Sequence, residues 1–174
     1  ANLLSSVFSI LASLILLASL SKLGIRGLIA TVTTVSFGLG LTVWSQSVVA
    51  EVYSLNLLFV AGMVYCFLRW HLEKDDRFFY SACALYAISF GNHLTMITFL
   101  PAIIYFVWAT DRRVFLNPRK IVWVLFVIIF GAAQYFYVFL RTASPTTPYL
   151  EMTAPDLKTF WFYVTGGQFK HFLF

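Results

Sequence analysis

The apolar positions of this chain do not alternate with polar ones. They come in long blocks, and residues 28–43, 55–68 and 121–140 hold no charged side chain. A block of about 20 residues can cross, as an α-helix, a hydrocarbon layer roughly 30 Å thick. A membrane barrel would need alternation along every strand, and these blocks have none. The pattern predicts helices over residues 2–20, 28–44, 52–70, 78–90, 94–109 and 121–140, each crossing or entering a bilayer. The expected fold class is an all-α integral membrane protein, a polytopic bundle.

Loop charge orients the helices. Segment 21–27 carries Lys22 and Arg26, segment 69–77 carries Arg69, Lys74 and Arg77, and segment 110–120 carries Arg112, Arg113, Arg119 and Lys120. These hold nine of the twelve Lys and Arg residues, whereas 45–51 has only Glu51 as a charged residue. By the positive-inside rule the three basic loops belong on the cytoplasmic face. That bears on residues 78–108, which are long for one crossing and short for two. A single crossing would put the most basic loop outside. Two short helices meeting at Gly91, Asn92 and His93 bring the chain back, and such a break is tolerated at membrane depth where protein or a wet cavity surrounds it.

Composition agrees. With 60% hydrophobic and 11% charged residues, a soluble domain could not cover its core. The net charge of +5 is spread through the short loops, which gives no nucleic-acid surface. Cys66 and Cys83 lie in apolar blocks without metal-ligand spacing and read as packing residues. Past residue 140 the chain changes character. Pro145, Pro148 and Pro155 predict an extended loop, and the mixture of Trp161, Tyr163, Lys158 and Lys170 suits a membrane interface. The expected division is therefore 1–140 as the helical domain and 141–174 as an extracytoplasmic loop and interfacial segment. No initiator Met and no basic leader precede residues 2–20, and both ends read as cuts in a longer polypeptide. No internal repeat is evident.

The candidate chemistry lies on the face opposite the basic loops. Glu51 stands between two apolar blocks, where a carboxylate either caps the next helix or faces a cavity lined with Tyr53 and Asn56. His93, beside Asn92 at the expected break, reads either as a hydrogen-bonded packing residue or as a second site group. Arg141 emerges on the same face after a long apolar block. It either snorkels to the interface, or pairs with Glu51 or holds a phosphate. Gly166, Gly167 and Gln168 read as a turn, because the strand–loop–helix context of a phosphate cradle is missing. His71 and His171 receive no role. No metal-ligand cluster or nucleophile motif is recognisable.

Three segments, WSQSVVAEVYSLNLLF (44–59), GNHLTMITFLPAII (91–104) and TFWFYVTGGQFK (159–170), resemble a family of bacterial membrane proteins of unknown function. That family is related to the transmembrane O-mannosyltransferases of animals and belongs among the GT-C-fold glycosyltransferases. The resemblance implies a fragment of a GT-C-like enzyme in a bacterial inner membrane. It would take a sugar from a lipid-linked polyprenyl-phosphate donor and pass it to a protein or glycan acceptor on the extracytoplasmic face. It implies substrate-binding roles for Glu51, Tyr53, Asn56, Asn92 and His93; the residues themselves suggest a phosphate contact for Arg141. Charge compensation at the phosphate would come from a cationic side chain or a divalent metal ion. The family's Asp-Ser-Gly-Glu type segment is absent, so the main catalytic carboxylate is expected upstream and the fragment is expected to be inactive alone. The competing readings are a transporter or flippase built on an intramembrane Glu51 and a broken helix, and a purely structural subunit.

Overall fold

A computed structural model describes residues 2–142, 156–165 and 167. The chain forms α1 (Asn2–Lys22), α2 (Gly27–Gly38), α3 (Leu41–Ser47), α4 (Tyr53–Glu73), α5 (Asp76–Ser89), α6 (Leu100–Thr110), α7 (Pro118–Thr142) and α8 (Leu157–Val164). Two 3-10 helices, Leu94–Phe99 and Arg112–Leu116, precede α6 and α7, and no strand occurs among the described residues. Helices α1, α4 and α7 are long and apolar enough to cross a membrane. Their outward side chains are large and apolar, as for Ile10 (59% exposed) and Ile129 (68%), which suits lipid rather than water as the surrounding solvent.

The packing order is α2 and α3 on α1, α1 on α4, α4 on α5, and α5 on α7. Small residues permit the close approaches. Ser5, Ser9 and Ala12 are the buried residues of α1, and Gly131 of α7 lies against the backbone of Ala87. The core proper is nearer the basic end, where Trp70 and Phe79 are almost fully buried with ring centroids 5.1 Å apart.

All three basic loops meet at one end of the bundle. Lys22 Nζ lies 2.8 Å from Glu73 Oε1, Arg69 Nη2 donates to Glu73 Oε2 at 2.6 Å, and Lys120 Nζ lies 2.6 Å from Asp76 Oδ1. Trp70 Nε1 donates to the same Asp76 oxygen, and His71 Nδ1 lies 3.0 Å from Thr110 Oγ1. The last contact brings the end of α6 back to the end of α4. Segment 76–110 therefore runs away from the basic end and returns to it, as two short helical arms rather than one crossing.

Two helices differ from the sequence pattern. The expected helix 28–44 is broken into α2 and α3, bent by 59°. The reason is Gly38-Leu39-Gly40: at Gly40 a Cβ would stand 3.1 Å from the Phe37 carbonyl, a close backbone approach that glycine accommodates. The expected helix 94–109 begins instead as the 3-10 helix Leu94–Phe99. Pro101 has no N–H for the Ile97 carbonyl and its ring would clash with it, so α-helical hydrogen bonding starts only at Leu100. Residues 143–155, with Pro145, Pro148 and Pro155, lie outside the described residues, as do Gly166, Gln168, Lys170 and His171.

Candidate functional site

The end of the bundle opposite the basic loops is held by neutral polar side chains. Ser6 Oγ donates to the Ser47 carbonyl (2.8 Å), Ser54 Oγ to the Gln46 carbonyl (2.8 Å), and Ser9 Oγ to Ser54 Oγ (3.3 Å). These bonds fasten α3 and the start of α4 to α1. Segment 48–52, which carries Glu51, is thereby fixed at the mouth of the bundle.

From the other side the turn between α5 and the 3-10 helix docks on the same segment. Asn92 Nδ2 donates to the Val52 carbonyl (3.1 Å), and the His93 ring packs on the Tyr53 ring with centroids 5.5 Å apart. His93 Nδ1 accepts from the backbone N–H of Thr95 (3.2 Å) and lies 2.7 Å from Thr95 Oγ1. With Nδ1 held as the acceptor, the neutral ring carries its proton on Nε2, which leaves that nitrogen as a donor. His93 is thus both a capping residue and an oriented N–H.

The turn is braced from behind by α7. Gln134 Nε2 donates to the Ala87 carbonyl (3.0 Å) and Tyr135 OH to the Phe90 carbonyl (2.9 Å). A Cβ on Gly91 would fall 2.0 Å from Gln134 Oε1, so any larger residue there displaces the Gln134 amide.

Glu51 is exposed and makes no side-chain cap: α4 begins at an N-cap Val52 without a side-chain hydrogen bond, and the Glu51 amide donates to the Val49 carbonyl. Glu51 takes part in none of the ion pairs among the described residues. Asn56 shares the Tyr53 face of α4 by helical spacing. Its Oδ1 is buried without a hydrogen-bond donor among the described residues, as is Gln46 Oε1. An orphaned buried acceptor is free to take a hydrogen bond from water or a ligand hydroxyl. Arg141, exposed on the last turn of α7, stands seven residues past Gln134, about 10 Å further along the helix axis. The structure thus gathers Glu51, Tyr53, Asn92 and His93 at one mouth, sets Asn56 just below it, and brings Arg141 to the same end. Among the described residues no three His, Cys, Asp or Glu side chains are grouped to hold a metal ion.

Gln46, Ser54, Gln134 and Tyr135 are site-supporting residues that the hydropathy pattern hides. The one sequence signal was the Ser5, Ser9 and Ser13 spacing of four on α1, a polar stripe in an otherwise apolar helix.

An apolar groove of about 870 Å³ runs between α6 and α7, floored by α5, from Val114 and Lys120 at the basic end to the mouth. Phe90 and Leu94, which flank the Asn92–His93 turn in sequence, line it, and Tyr135 and Trp161 of α8 line it further along. Asp156 starts α8, accepting the Thr159 amide at 2.7 Å; that bond holds its carboxyl below the usual carboxylate range.

Residues 1–115 match the sequence family described as Protein O-mannosyl-transferase TMEM260 N-terminal domain. No curated protein and no solved structure matches the chain.

Proposed function

Because the chain belongs to the Protein O-mannosyl-transferase TMEM260 N-terminal domain family, we propose that it forms part of a membrane glycosyltransferase using a polyprenyl-phosphate sugar donor. The sugar, mannose by the family's description, passes to a hydroxyl of a protein or glycan acceptor on the face opposite the basic loops. One observation carries this reading: a cluster of polar groups and a ring, Glu51, Tyr53, Asn92 and His93, stands beside one end of an apolar groove, where Phe90 and Leu94 line it. A lipid-linked sugar needs both surfaces side by side, a polar one for the sugar and an apolar one for the chain.

In the transfer step the acceptor oxygen bonds to the sugar's anomeric carbon as the bond to the phosphate oxygen breaks. The acceptor proton goes to a base and the electron pair leaves with the phosphate. The Glu51 carboxylate accepts a hydrogen bond from an acceptor or sugar hydroxyl, and the His93 Nε2–H donates one. The Tyr53 ring supplies a flat apolar wall. Arg141 is suited to the departing phosphate, since charge-assisted guanidinium contacts are the strong ones.

The test uses the full-length protein in membranes. Glu51→Gln is expected to lower sugar transfer about tenfold, a barrier change of roughly 1.4 kcal/mol, with membrane insertion unchanged. Wild-type transfer in that variant would remove Glu51 from the site. The face is tested separately. Thr147→Cys, in a Cys66→Ser/Cys83→Ser background, should react with an impermeant thiol reagent added outside intact cells. Labelling only after permeabilisation would put the site on the wrong side for an extracytoplasmic donor.

A further inference from the structure

The basic end carries a polar surface that sugar transfer does not use. The 3-10 helix Arg112–Leu116 and the start of α7 turn a corner there, and Arg113, Asn117 and Arg119 line one open recess with Leu116 and Pro118. The acceptors of this corner are already engaged by backbone amides. Asp111 Oδ1 takes the Arg113 amide (3.0 Å), while Asn117 Oδ1 takes those of Arg119 (3.0 Å) and Lys120 (3.3 Å). Nearby cations are engaged as well: Lys120 with Asp76, and Arg112 over the Trp108 ring at 4.4 Å. Among the described residues the Arg113 and Arg119 guanidinium groups have neither a carboxylate nor a ring partner. Two guanidinium groups without a salt bridge on one recess are complementary to an anion, and their planar forks fit phosphate oxygens.

The corner is also apolar on its outer side. Leu116 is 83% exposed, and Phe115 and Trp108 are each 46% exposed. A phospholipid brings a phosphate and hydrocarbon together, which matches a corner that is basic on one side and apolar on the other. We propose that this corner is a headgroup site for an anionic phospholipid, with Arg113 and Arg119 on its phosphate and Leu116 and Phe115 against its acyl chains. The site is independent of the transfer reaction and lies at the opposite end of the bundle. Charge attraction of this kind amounts to roughly fivefold per arginine at an anionic surface.

The experiment titrates the full-length protein in neutral detergent with brominated phosphatidylglycerol or brominated phosphatidylcholine and reads tryptophan quenching. Phosphatidylglycerol is expected to half-quench at a concentration at least about tenfold lower. R113Q/R119Q should lose that preference. R26Q/R77Q should keep it, because Arg26 and Arg77 stand at the same end outside the recess. Excess inorganic phosphate should not displace the lipid. Four results overturn the proposal: no preference in the wild type, a preference retained in R113Q/R119Q, equal loss in R26Q/R77Q, or displacement by inorganic phosphate. If R113Q/R119Q loses its helical circular dichroism, Arg113→Lys and Arg119→Lys carry the test. They keep the charge but lose the fork, so the preference should fall a fewfold; an unchanged preference overturns the proposal.

Discussion

At the scale of single residues, the site is arranged by ordinary hydrogen bonds that aim side chains rather than by charge pairing. Asn92 spends its amide on the Val52 carbonyl, which joins the turn after α5 to the segment that carries Glu51. His93 spends Nδ1 on Thr95 and is left with Nε2 as a donor. Asn92→Ala should therefore cost about 1 kcal/mol of stability, the typical net value of one such bond. Thermal unfolding in detergent would measure it. An unchanged midpoint would mean that the turn is held by Gln134 and Tyr135 alone.

At the scale of elements, interruptions of helices create the site. The bend between α2 and α3 returns the chain so that residues 48–52 close over α4, and the break at 90–93 lets α5 and α6 both reach the basic end. Gly91 is the tightest point of that second break. Gly91→Ala would displace the end of the Gln134 side chain and sever its bond to the Ala87 carbonyl, a cost of about 1 kcal/mol. Removing the obstructing side chain should recover part of this. In a double-mutant cycle, Gly91→Ala with Gln134→Ala should be less destabilised than the two single variants added together. Strict additivity would show that the two residues do not meet.

At the scale of the whole molecule, the two ends of the bundle are chemically unlike. One is closed by ion pairs and basic side chains, the other by serine and amide hydrogen bonds around an open mouth. Lys120 ties the basic end together, its side chain only 6% exposed and its ammonium on Asp76, which also accepts from Trp70. Asp76→Asn strands that ammonium and should cost about 2 kcal/mol, whereas Lys120→Met, which removes the charge itself, should cost less. Unfolding in mixed micelles compares the two. A larger loss for the methionine variant would show that packing of the lysine stem matters more than its charge.

The class of the protein, the long apolar blocks and the gathering of the basic loops at one end were legible in the residues, because a bilayer imposes length and charge rules on every segment separately. The candidates Glu51, Asn92 and His93 were legible for the same reason, since polar groups inside apolar blocks stand out one by one. The bend at Gly40 and the 3-10 start before Pro101 had local signals too, in the paired glycines and the missing proline N–H, but hydropathy alone reads across them. Only the tertiary structure decided that Asn92 reaches Val52, that Tyr53 meets His93, that Gln134 braces the turn, and that a groove remains between α6 and α7. The first three are contacts between segments about 40 or more residues apart, and all four follow from how whole helices pack, which no local pattern encodes.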